Sequence, residues 1–134
     1  MKCFPLILVV ALITAVANCM LSYGQDSKNA SACQDIITNS SQTSVTARIE
    51  AYYLAAQCYN KMSPMGHVDE EQLYAAELAY AKAEILGRQI IGNITAMKAR
   101  EALDRLYRSL HNNSVVGIEK IYKKAEESLA QSGK

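Results

Sequence analysis

Residues Asp69 to Ile91 read DEEQLYAAELAYAKAEILGRQII, and this stretch decides the fold. Asp69 with Gln72 three residues on is a capping-box arrangement, and Glu70 and Glu71 suit the positive end of a helix. The spacing predicts a helix from Asp69 to about Ile91. Leu73, Ala76, Tyr80, Ala83 and Ile90 make one apolar stripe, and Tyr74, Leu78, Ala81 and Ile85 make another. A helix with two apolar stripes is contacted on two sides, so this one is the expected centre of the fold. Its alanines (Ala75, Ala76, Ala79, Ala81, Ala83) let neighbouring helices come close.

Helical spacing continues on either side. Upstream, Val45, Ile49, Tyr52, Ala56 and Tyr59 lie on one stripe of a helix from about Thr46 to Met62, which Ser63-Pro64-Met65-Gly66 stops. Downstream, Gly92-Asn93 is a helix stop, and Thr95 is the expected cap of a third helix carrying Ala99, Leu103, Leu106 and Leu110 inward. After the tight connection at His111-Asn112-Asn113-Ser114, a last helix is expected from Val115 to about Gln131, with Ile118, Tyr122, Ala125 and Leu129 inward. No strand pattern appears. Short connections predict an all-α up-down bundle of about four main helices over residues 45–131, with residues 132–134 frayed. Residues 25–44 form a polar segment in which Ala30 to Ile37 makes a short helix.

The first 24 residues belong to a different kind of segment. Lys2 is the only charge before Asp26, and Phe4 to Ala17 is a nearly unbroken apolar run, the pattern of a cleaved secretory signal peptide. Two cleavage sites fit, after Ala17 and after Gly24. Cutting after Gly24 removes Cys3 and Cys19 and leaves Cys33 and Cys58 as an even pair, the expected disulfide of an oxidising compartment. An alternative is a bacterial lipobox at Val16-Ala17-Asn18-Cys19, which would make the protein a periplasmic or outer-membrane lipoprotein lipidated at Cys19 and acting as an assembly or immunity factor. The asparagines bear on the same choice. Asn29, Asn39, Asn93 and Asn112 each open an N-x-[ST] triplet, where about one would arise by chance, and this points to a secreted glycoprotein.

Composition excludes more than it assigns. The 134 residues are 50% apolar and 20% charged, near globular averages. Beyond Lys2, thirteen basic side chains balance thirteen acidic ones, so there is no electrostatic footprint for nucleic acid. No stable membrane span is expected once the leader is gone. His67 near Asp69, Glu70 and Glu71, and the isolated His111, do not make a metal site, and no nucleophile elbow, phosphate loop or dinucleotide fingerprint is present. The expectation is a non-enzymatic protein with no cofactor.

Tyrosine is the compositional anomaly: eight Tyr against one Phe, with that Phe in the leader. Tyr52, Tyr59, Tyr74 and Tyr80 are therefore the candidate binding residues, predicted to line a Tyr/Ala groove between helices that takes an extracellular protein, a peptide or a small apolar ligand. Ala76-x3-Tyr80-x2-Ala83 and Ile118-x3-Tyr122-x2-Ala125 also resemble the second-helix pattern of tetratricopeptide repeats, which would imply an adaptor, although the Pro64 loop stands where the first helix of such a repeat belongs.

Overall fold

The computed structural model describes residues 30–40, 44–62 and 69–133. The expected leader, Cys19, Asn29, the Pro64 loop and His67 lie outside those residues. Within them the chain is entirely helical, with five helices rather than four: α1 (residues 30–40), α2 (Val45–Lys61), α3 (Glu70–Gly87), α4 (Ile94–Leu110) and α5 (Ile118–Ser132). The fifth is the short N-terminal helix, extended by one turn beyond Ile37 and fixed to α2 by the Cys33–Cys58 disulfide, with Cα atoms 5.6 Å apart. In the chain-entropy account a bridge closing a loop of this size contributes about 3 kcal/mol. Cys33 is fully buried, with Met62 Sδ 3.4 Å from its Sγ, and Tyr59 adds a second tie by donating its hydroxyl to Gln34 Oε1 at 3.1 Å.

α3 is the hub. It packs against α2, α4 and α5, and α2 and α4 also touch each other. Small residues make this possible: Ala55 and Ala56 of α2, Ala76, Ala79, Ala81 and Ala83 of α3, and Ala96 and Ala99 of α4 are all buried. The closest approach is at Gly87, where an added Cβ would fall onto the Ala96 side chain. Ile49 and Leu103 fill the space between these small residues.

Helix ends differ from the sequence expectation in instructive ways. Ser44 caps α2 by accepting from Ala47 N, which starts the helix one residue early. Asp69 caps α3 by accepting from Gln72 N at 3.2 Å, but Gln72 Oε1 is buried without a partner, so only half of the capping box forms. α3 ends at Gly87, four residues before Ile91, where Arg88 N donates to Glu84 O and Ile85 O and Ile90 N to Gly87 O. Residues 88–93 make a turn, with Gly92 at φ +75° and Ile91 fully exposed.

Asn93, not Thr95, caps α4, its Oδ1 accepting from Ala96 N at 2.8 Å. Thr95 instead donates to Glu50 Oε1 on α2 at 3.5 Å. Leu110 lies at the exposed end of α4, and the buried residue of that turn is Tyr107. The last helix begins at Ile118 rather than Val115 because Gly117 takes the left-handed conformation (φ +95°), and the Tyr107 hydroxyl pins the turn by donating to Val116 O at 2.9 Å. In α5 the buried residues are Ile121 and Ala125; Ile118, Tyr122 and Leu129 pack on the core from its edge.

Candidate functional site

Helix α1, held against α2 by the disulfide, and the C-terminal half of α5, held against α3, leave a cleft of about 650 Å³ between them. Tyr52, Ile37, Leu86 and Leu129 give it apolar surface, and Arg48 and Lys82 give it charge. Arg48 and Tyr52 are one turn apart on α2, so they share a face. Lys82 reaches in from α3 with its Nζ 5.4 Å from the centre of the Tyr52 ring. Leu86 follows Lys82 by one turn on α3.

The electrostatics are one-sided. Among the described residues no carboxylate lines the cleft, and neither Arg48 nor Lys82 is in an ion pair. Burial holds the Lys82 ammonium below the usual lysine range, because desolvation penalises its charged form. The hydroxyls of Thr38, Ser40 and Ser132 donate back to carbonyls of their own helices.

A second cleft, of about 630 Å³, lies between α4 and α5 and contrasts with the first. Its lining mixes Arg100 and Arg108 with Glu101 and Asp104, and Arg108 Nε is 2.9 Å from Asp104 Oδ2. Nearby, Arg88 joins α3 to α5 through Glu84 at 3.5 Å and Glu126 at 3.6 Å, and its guanidinium lies over the Tyr122 ring. The Tyr122 hydroxyl is pushed well above its usual range by burial and then by Glu84. Charges here compensate one another.

The four candidate tyrosines do not share a cleft. Tyr52 opens onto the first cleft. Tyr80 opens onto a smaller pocket of about 300 Å³ beside Asn60 and Arg105, with its ring 5.8 Å from that of Tyr53. Burial, then Tyr53, raises the Tyr80 hydroxyl above its ordinary value. Tyr59 is buried with its hydroxyl on Gln34, and burial raises its pKa also. Tyr74 is exposed on α3. Sequence reading missed Arg48 and Lys82. The available signal was Lys82 itself, one cation between Ala81 and Ala83 in the most alanine-rich helix.

The other sequence candidates fall apart from the cleft. Asn39 is exposed in the last turn of α1, Asn93 is the α4 cap, and Asn112 is exposed in the turn before α5 at φ +50°. His111 stacks on Tyr107 with ring centres 4.0 Å apart. Among the described residues no group of three or more His, Cys, Asp or Glu could hold a metal ion, and no helix is long and apolar enough to cross a membrane.

One carboxylate is sealed in the core. Glu77 of α3 is 4% exposed, its Oε1 has no partner, and desolvation pushes its carboxyl up to about 7. Its charge is felt at Tyr107, whose hydroxyl is raised by burial and by Glu77 and Glu119. No family model matches the chain, and no curated protein or solved structure matches it either.

Proposed function

We propose that this is an exported, non-enzymatic binding protein that holds a small ligand in the cleft bounded by α1, α2, α3 and α5. The observation that carries this reading is the cleft itself. Its volume is within the range of small-molecule sites, and its apolar surface is joined to two cations with no carboxylate among the described residues lining it. Tyr52 is the one sequence-predicted tyrosine in this role. Tyr59 and Tyr80 serve packing, and Tyr59 also steadies the α1 wall through Gln34.

Export rests on the leader pattern and on the Cys33–Cys58 bond, which belongs to an oxidising compartment. N-glycans at Asn39, Asn93 and Asn112 agree with that route. At Asn93 the side-chain oxygen makes the helix cap, and the amide nitrogen is the atom to which a glycan attaches.

The test fills the cleft. The disulfide-bonded protein should bind the neutral fluorescent probe N-phenyl-1-naphthylamine with a rise in emission, and Ser128→Trp, which places an indole in the cleft, should abolish the rise while circular dichroism stays unchanged. Equal emission from both proteins would place the probe elsewhere and remove the reading.

A further inference from the structure

The cleft asks for a ligand of a particular charge. A desolvated cation gains most from an anion brought to it in a site of reduced dielectric, where such a pair is stronger than in water. Among the described residues Lys82 has only the face of the Tyr52 ring as a partner, and Arg48 has no ion pair. Both flank the same ring, Arg48 from the preceding turn of α2 and Lys82 from above. The same cleft is lined by the apolar side chains of Ile37 of α1, Leu86 of α3 and Leu129 of α5, with Leu86 one turn beyond Lys82 on α3. A cleft lined by two cations and by apolar side chains fits a molecule with one anionic head and an apolar body. A fully apolar ligand would leave both cations uncompensated, and a flat bilayer surface could not enter a concave site between four helices.

We propose that the ligand is a single-headed amphipathic anion, of which a medium-chain carboxylate is the simplest member, with its head on Lys82 and Arg48 and its chain on Tyr52, Leu86 and Leu129. This rests on the cleft reading above, and the experiment separates the two. Displacement of the bound naphthylamine probe is measured with dodecanoate and with dodecanol, both below aggregation, on the disulfide-bonded protein.

Dodecanoate is expected to bind about tenfold or more tightly than dodecanol, the margin a charge-assisted contact supplies. Lys82→Met and Arg48→Met should each erase most of that margin, read as the ratio of dodecanoate to dodecanol affinity within each variant, and Lys82→Arg should preserve it. Equal affinity for acid and alcohol, or Met variants that keep the preference for the acid, would overturn the anionic head while the probe still marks an occupied cleft. Failure of the unmodified protein to bind the probe, with neither dodecyl compound heating in a calorimetric titration, would overturn the cleft reading and this proposal together.

Discussion

Helix α3 is built differently on its two sides, and two of its charged residues, the buried Glu77 and the half-buried Lys82, show how. Towards α4 it is sealed at Gly87, where Ala96 reaches the helix backbone, and around the enclosed Glu77, while a pocket of about 300 Å³ stays open beside Tyr80. Towards α1 and the end of α5 it is open, and the cleft takes the place of packing. Glu77 and Lys82 sit five residues apart on this helix. Glu77 is enclosed in the core with an oxygen unsatisfied, whereas Lys82 lies at the edge of a cleft large enough to admit a counter-ion. Desolvation is therefore a stability cost at Glu77, whereas at Lys82 it falls on a group that borders open space.

The contrast breaks most visibly through volume. Gly87→Val adds atoms where Ala96 leaves no room, in helices whose backbones both line the contact, so relaxation would have to move α4. The expected loss is about 3 kcal/mol or more, at the upper end of overpacking effects. Ser128→Trp adds more atoms on the open side and should cost less than about 1 kcal/mol, since the cleft receives them. Urea midpoints of the two variants check the pair. Equal losses would show that both sides are packed alike.

The covalent tie comes next. Replacing Cys33 and Cys58 together with Ser should cost about 3 kcal/mol by the loop-closure account. The loss should be local in its structural effect. α1 contributes Gln34 and Ile37 to the cleft wall, so probe binding disappears, while the contacts among α2, α3 and α4 do not involve α1. Far-ultraviolet circular dichroism should therefore keep most of its helical signal. Full retention of probe binding would mean that Ile36, Ile37 and the Tyr59–Gln34 bond hold α1 without the disulfide.

Sequence reading recovered the sealed side far better than the open one, for a physical reason. Packing leaves a periodic signature, so Ala76, Ala83, Ala99, Leu103 and Leu106 were all legible as inward positions. The hub role of α3 followed from its two stripes, and the Cys33–Cys58 pairing followed from parity. Helix ends were less legible where a turn depends on a tertiary contact. α3 stops at Gly87, where it meets Ala96, and no local pattern in Arg88 to Ile91 announces that. The cleft was the least legible. It is formed by parts of four helices, and its charge arises because no carboxylate among the described residues lines it beside Arg48 and Lys82, a property of three-dimensional arrangement. Eight tyrosines drew attention to aromatic rings, most of which serve packing or face outward.

The finest distinction between the two sides is a matter of pH. Glu77 has a folded-state pKa of about 7, above its ordinary value of 4.5, so the folded protein binds its proton more tightly than the unfolded chain does. Its contribution is fully present below about pH 4.5 and is lost as pH rises to about 7, where the carboxylate must stay charged in the core beside Tyr107. Glu77→Gln keeps the shape and removes the charge. The variant should gain on the unmodified protein across that window and exceed it in stability by about 1–3 kcal/mol at pH 8. Lys82 has the opposite sign: burial lowers its pKa, so any penalty it carries is relieved as pH rises towards the ordinary lysine value of 10.5. Thermal melts of Glu77→Gln, Lys82→Met and the unmodified protein at pH 5, 8 and 10 separate the two charges. A Glu77→Gln difference that does not grow between pH 5 and pH 8 would show that water reaches the carboxylate and that the α4 side is not sealed.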